Sequence, residues 1–529
     1  MPATLNDSIA VEHAARSIGA VIKAYTEWFL IQEHCSPLAI DESEFQFSVA
    51  HRRLIFSSWT ERGAQTWRIT AWEWKGEKLS LAATRRMGGE QATLELVPRA
   101  SAKSLAAGIA AARQARCDKL AALVAQTLAC ASSDEDQRLK SVPPAKIERA
   151  ALSPGMRRNQ PGRYARVLLR LPHERVAATA TVATSDARNA DSLFSSALLW
   201  FMRLQSRPAR PPVTRLLIIV ERNLLEAARQ RHTLLRDAFR NRIELLQIDE
   251  PWQQIEPVRT FARRDIWKKR LARFPPVAEP AGSELANQIV AQAPQAIDSV
   301  ASRHGQTLRF HGLPFARVRS VMNQDRVWFG IDGSRRQAFQ SHHARDFEKL
   351  MSDLTNYRHE RCGDRHHWFY RAAGEAWLES ILRRDITKLD PGLIIAPLHA
   401  QFRTSHGGTI GTSGARPIDL LALRQDGRLV VIELKVMEDR EHVFQGVDYW
   451  RRVEAHRRRG HISAAKLFGD RKISDESPLV YLVAPALRFH PTFATLARTI
   501  APDIEIYRFD INEDWRSGVR VVRRERVNP

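Results

Sequence analysis

Residues 429 to 436, Leu-Val-Val-Ile-Glu-Leu-Lys-Val, are apolar on both alternating faces until a Glu and a Lys interrupt one of them. Such a strand has to lie inside a sheet covered by helices, because only two covered faces take both rows of side chains out of water. The run before it, Asp419 to Arg424, is joined to it by Gln425-Asp426-Gly427, so the two read as a hairpin. The link decides which side chains meet. A two-residue Asp-Gly turn pairs Gln425 with Arg428 and turns Asp419 away from Glu433. A three-residue loop with Gly427 in the left-handed region pairs Arg424 with Arg428 and sets Asp419 opposite Glu433. Gln-Asp-Gly suits the longer loop, which gathers Asp419, Glu433 and Lys435 on one face. Buried ionic groups ending an apolar run need a reason, and a cation site supplies one.

An Asp in one strand and a Glu-x-Lys closing the next resemble the PD-(D/E)XK nuclease superfamily, the restriction-endonuclease-like fold. The resemblance covers about the last third of the chain. It implies that Asp419 and Glu433, with the Leu434 carbonyl, hold Mg²⁺ or Mn²⁺, hard cations suited to oxygen donors. It further implies that Lys435 orients or deprotonates the attacking water and stabilises charge developing on phosphorus. Here Pro417 is separated from Asp419 by Ile418, a departure from the pattern. Two similar triplets, Glu73-Trp74-Lys75 and Asp470-Arg471-Lys472, lack the partner hairpin Asp or fall in a polar loop.

Flanking segments fit the same plan. Residues 374–382 read as a helix with Trp377, Leu378, Ile381 and Leu382 at core spacing, and Glu375 and Glu379 share another face. The resemblance implies that one of these two acids joins the site, with Glu379 among the site candidates. A helix over 439–459 carries Gln445 and Tyr449 one turn apart, and this Gln-x-x-x-Tyr resembles the additional motif of the RecB-like branch. The implied activity is metal-dependent hydrolysis of DNA, in repair or in defence against foreign DNA. The alternative is a nucleic-acid-binding protein that keeps the domain as a non-cutting scaffold.

Charge agrees with a polyanionic partner. Eighty-one Lys and Arg against 59 Asp and Glu give a formal charge of +22, an excess that favours DNA by steering and counterion release. Arg451, Arg452 and Arg457 to Arg459 crowd one helix beside the site, and Arg516, Arg520, Arg523, Arg524 and Arg526 crowd the C-terminus, so both runs are expected to contact DNA. The four cysteines form no framework, and no apolar run of spanning length or charged-then-apolar leader is present, so a reducing, cytoplasmic setting without a membrane partner is expected. No phosphate-binding Gly-x-x-x-x-Gly-Lys-Ser/Thr loop occurs, which argues against an ATP motor.

The organisation reads as an α/β chain whose C-terminal domain, 345–529, is a restriction-endonuclease-like mixed sheet flanked by helices. Ahead of it come an N-terminal β-meander with flanking helices (1–131), a linker (132–162), an α/β domain whose element order echoes the C-terminal one (163–270) and a mixed connecting region (271–344). Within 1–131 a helix spans 14–31, strands fill 44–98 and an Ala-rich helix covers 102–131. Trp59, Trp67, Trp72 and Trp74 lie near arginines, and core packing is favoured for them over base stacking. His359, Cys362, His366 and His367 lie within nine residues but offer one thiolate on one segment, so a basic connector is favoured over zinc.

Overall fold

The structure, a computed structural model, describes the chain except residues 1–2, 6–7, 33–37, 42–43, 51–52, 61–62, 75–77, 86–90, 99–101, 135–144, 155–160, 183–188, 209, 250–251, 269–282, 303–304, 322–323, 332–336 and 396–418. Its architecture is mixed α/β. The chain divides into two compact units, Met1–Asp186 with 248–255 and 332–334, and Ala187–Gln247 with Glu256–Ile331 and Arg335–Pro529. The division after residue 186 falls inside the 163–270 stretch. Strands Pro161–Arg170 and Arg175–Thr181 therefore belong to the first unit and helices Asn189–Gln205 and Arg222–Thr233 to the second.

In the first unit an antiparallel sheet includes the expected meander from Phe45–Ala50 to Gln91–Pro98. The first helix is shorter than its sequence suggests. It ends at Lys23, and Glu27–Gln32 is a strand paired on both sides, because Trp28, Phe29 and Ile31 suit a pleated surface. Trp28 and Trp67 are buried in the core, with Trp72 and Trp74 packed against it. The 132–162 stretch is not all linker: Lys146–Pro154 pairs with Pro161–Arg170 under the Ala-rich helix. Its weak alternation is hidden between Pro-rich flanks.

The second unit holds two sheets that bear on the site. Residues 297–338, expected to be a connector, form a five-stranded antiparallel sheet, and Phe347 and Leu354 of helix Ala344–Tyr357 share its core. The last sheet runs Leu393–Ile395, Leu420–Arg424, Leu429–Leu434, Leu479–Pro485, Ile506–Ile511 and Val521–Arg526 in that spatial order. Its first three strands and its last pair are antiparallel, while Leu429–Leu434, Leu479–Pro485 and Ile506–Ile511 run parallel.

Leu429–Leu434 is buried at every position, as its two apolar faces require. Val430, Ile432 and Leu434 face Trp377, Leu378 and Leu382 of helix Gly374–Arg384. Leu429 and Val431 face Tyr449 and Val453 of helix His442–Arg457. Each such aliphatic side chain contributes roughly 1.5–3 kcal/mol by leaving water, so the two layers clamp the strand in register. The second helix is itself sandwiched. Its Gly446 lies so close to Leu482 and Val480 that a Cβ would sit 2.5 Å from a Leu482 methyl, while Phe444 meets Phe194 of Asn189–Gln205.

Candidate active site

The hairpin has the three-residue loop. Leu420 pairs with Ile432 and Leu423 with Leu429, the Arg424 N–H donates to the Arg428 carbonyl at 2.9 Å, and Gly427 has φ +83°. Continued by one step, that register puts Asp419 opposite Glu433. A Cβ on Gly427 would lie 2.7 Å from the Lys472 carbonyl oxygen, so both conformation and space select glycine there.

Asp419 stands just outside the ladder, and its Oδ2 accepts the Leu434 N–H at 2.8 Å. Glu433 and Lys435 are 2% and 6% exposed. The Lys435 Nζ donates to Glu433 Oε1 at 3.0 Å and lies 3.7 Å from both Glu375 and Asp439 carboxylates. Three acids thus lie within ion-pair reach of one ammonium, and the Asp419 charge also acts on it. Burial raises the Asp419 pKa well above the usual carboxylate value, and the Glu433 charge raises it further. Burial likewise raises Glu433, with Lys435 opposing. Burial works against the Lys435 ammonium too, but Glu433, Glu375, Asp419 and Asp439 outweigh it and keep its pKa above the ordinary lysine value. Lys435 is therefore a fixed cation in this arrangement, fit to orient water or stabilise negative charge rather than to take up a proton.

Helix His442–Arg457 closes the site from one side. The His442 Nε2 lies 3.2 Å from the Glu433 carbonyl oxygen. Burial, then the neighbouring Lys435, depresses its pKa to about 3, so the ring is neutral and donates that hydrogen bond. One turn on, the Gln445 amide nitrogen reaches Glu441 at 3.5 Å. Two buried oxygens, Glu433 Oε2 and Gln445 Oε1, have no hydrogen-bond partner. Buried acceptors without donors are costly, and the Glu433 carboxylate also lies within hydrogen-bond reach of Asp419. Among the described residues no ready group of three or more His, Cys, Asp or Glu is arranged around a metal. The fit to a hard cation rests on the facing Asp419 and Glu433 carboxylates, the orphaned Glu433 oxygen and the Leu434 carbonyl named from the sequence. No family model, curated protein or solved structure matches this chain.

Of the remaining sequence candidates, Glu375 and not Glu379 lies beside Lys435. Glu379, 7% exposed at its side chain, is held by Arg383 at 2.7 Å and Arg309 at 3.4 Å. Tyr449 is buried in the core beside Val431, with the Arg452 guanidinium over its ring. Pro417 and Ile418 lie outside the described residues. Asp439 and His442 were not singled out in the sequence, although Asp439 follows Lys435 by four residues, within ion-pair reach.

Many arginines of the two runs are paired within the protein, although Arg458, Arg523, Arg524 and Arg526 stay exposed at their side chains. Arg457 and Arg458 both pair with the fully buried Glu454, at 2.7 and 2.6 Å, and Arg459 bonds the carbonyls of Ala455 and Trp267. Arg451 and Arg452 pair with Asp448. On the last strand Arg524 pairs with Asp390, Arg526 with Glu505 and Arg523 with Glu525, while Arg516 packs on Tyr370, Trp377 and Trp515. The four-residue zinc candidate is likewise accounted for locally. Cys362 is buried and donates to the Asp364 carbonyl at 3.4 Å, His367 stacks on Tyr357, and His359 accepts the Arg361 N–H.

Proposed function

We propose that the C-terminal sheet carries a metal-dependent phosphodiesterase site of the restriction-endonuclease-like kind, acting on DNA. The observation that carries this reading is the register that faces Asp419 with Glu433 while Lys435 projects from the same strand face. The order helix, three antiparallel strands, helix, parallel strand supports it, as does the orphaned Glu433 oxygen. The high basic content of the chain favours a polyanionic substrate.

Asp419, Glu433 and the Leu434 carbonyl would hold Mg²⁺ or Mn²⁺, which when bound supplies Lewis-acid polarisation of the scissile phosphate. The protein supplies the rest. The Leu434 N–H fixes the Asp419 carboxylate, and His442 fixes the Glu433 backbone, so both acids are oriented before substrate arrives. The Lys435 ammonium orients the attacking water and stabilises charge on the phosphoryl oxygens. Glu375 and Asp439, at the outer side of Lys435, keep it charged.

Incubating the protein with linear, circular and single-stranded DNA and with RNA, in Mg²⁺, Mn²⁺ or chelator, tests the proposal. Cleavage of DNA that needs the metal and disappears in Asp419→Ala supports it. Binding without cleavage of any substrate leaves the scaffold alternative.

A further inference from the structure

We infer that Arg383 is a positioning residue for Asp419, held in place by a buried chain of charges that begins in the five-stranded sheet. The inference rests on Asp419 as a carboxylate of the proposed site. Asp419 lies one residue before the Leu420–Arg424 strand, beyond the last ladder pair, so the sheet does not fix it by itself. Two clamps hold it instead. The Leu434 N–H takes its carboxylate, and Arg383 Nη2 donates to its carbonyl at 3.0 Å.

Arg383 projects from the end of helix Gly374–Arg384, with its side chain 12% exposed. Its Nε donates to Glu379 Oε1 at 2.7 Å, one turn back on the same helix. That oxygen is also 3.4 Å from Arg309 Nη1. Arg309, on strand Gly305–Phe310, forks onto both oxygens of Asp298 at 3.0 and 2.7 Å. Charges alternate along the whole chain from Asp298 to Arg383, and a forked guanidinium leaves its partner little angular freedom. Glu379, drawn toward the site by sequence, thus acts through Arg383 on the position of Asp419. The residues 297–338 sheet becomes part of the site's support.

The test uses the full chain and a readout that does not need catalysis. Amide hydrogen exchange at Leu434 reports whether its N–H is still bonded to Asp419. Arg383→Gln is expected to speed exchange at Leu434 on the order of tenfold relative to Val431 and Ile432, and to raise the Mg²⁺ needed for half-maximal cleavage by about ten- to a hundredfold with the KM for DNA unchanged. Arg383→Lys, which retains a cation but not the fork, should recover part of both effects. Arg309→Gln should reproduce the Leu434 effect more weakly. If Arg383→Gln does not fold, Arg383→Lys and Arg309→Gln carry the same measurement. Exchange that changes evenly along the strand, or not at all, overturns the inference and leaves Arg383 a packing residue. A wild type that cuts no substrate removes the nuclease reading, while the Leu434 exchange still decides the role of Arg383.

Discussion

Two clusters of buried charge lie on opposite sides of helix His442–Arg457, and they are built differently. On one side Asp448 takes Arg231 at 2.6 Å, Arg452 at 2.6 Å and Arg451 at 2.9 Å, with Asp191 completing the set on Arg231 at 2.5 Å. Every charge there has an opposite neighbour. Burial would raise the Asp448 pKa, but Arg231, Arg452 and Arg451 overcome it and hold the carboxyl far below its usual range. On the other side Glu433, Glu375 and Asp439 share one lysine, a carboxylate oxygen is orphaned, and Asp419 is pushed upward. The first cluster is satisfied by the protein alone and ties the helix to Asn189–Gln205 and Arg222–Thr233. The second is short of positive charge, which a structural network would not retain without cause.

The largest expected effect falls on the satisfied cluster. Asp448→Ala leaves three guanidinium groups without their shared acid and should cost about 3–5 kcal/mol in urea denaturation, the usual result of breaking a buried pair. Activity per folded molecule should stay near wild type. Equal damage to activity and stability would break the distinction between the clusters.

The acid-rich cluster should respond in the reverse way. Asp419→Ala and Lys435→Ala should each slow cleavage on the order of a hundredfold or more, measured on labelled DNA. Asp419→Ala should leave the urea midpoint unchanged or higher, since it relieves like-charge crowding. A midpoint drop as large as that of Asp448→Ala would place Asp419 among the structural charges.

The same contrast predicts opposite pH responses. Asp448, with its folded pKa depressed, contributes stability that is present above the unfolded value of about 4 and is lost as pH falls toward the folded value. Asp419, with its folded pKa raised, contributes stability that is present below that unfolded value and is lost as pH rises through the folded one. In metal-free buffer Asp448→Asn should flatten the acid limb of the stability profile and Asp419→Asn the limb above about pH 4. Identical profiles for the two variants would remove the distinction.

The smallest effect separates two neighbours on one helix. Glu375 is 45% exposed at its side chain and 3.7 Å from Lys435, so Glu375→Gln should change stability by less than about 1 kcal/mol. Glu379→Gln removes the charge between Arg309 and Arg383 and should cost distinctly more. Thermal melts of the two variants compare them directly.

What the sequence disclosed was local and periodic. Gln-Asp-Gly implies the loop, the loop implies the register, and the apolar faces of 429–436 imply two covering layers; each step needs only residues within reach of one hairpin. The choice between Glu375 and Glu379 was not legible, because it is made by Arg309, seventy positions upstream of Glu379. Gln445 and Tyr449 lie on a helix dense in arginine, yet both are buried, since Leu421 and Val431 face the helix on one side and Phe194 and Arg231 on another. Arg457 to Arg459 read as a surface run, and only the buried Glu454 shows why Arg457 and Arg458 are drawn to one acid. Strand Lys146–Pro154 was missed because its partner, not its own alternation, makes it a strand.

The central claim is that the acid-rich cluster, and not the balanced one, is a cation site. Crystals grown with Mn²⁺ and measured at its absorption edge test this most directly. An anomalous peak between the Asp419 and Glu433 carboxylates, with none at Asp448, is the predicted result. A map with no peak at Asp419 and Glu433 at millimolar Mn²⁺, or with Mn²⁺ bound at Asp448 instead, would contradict the account.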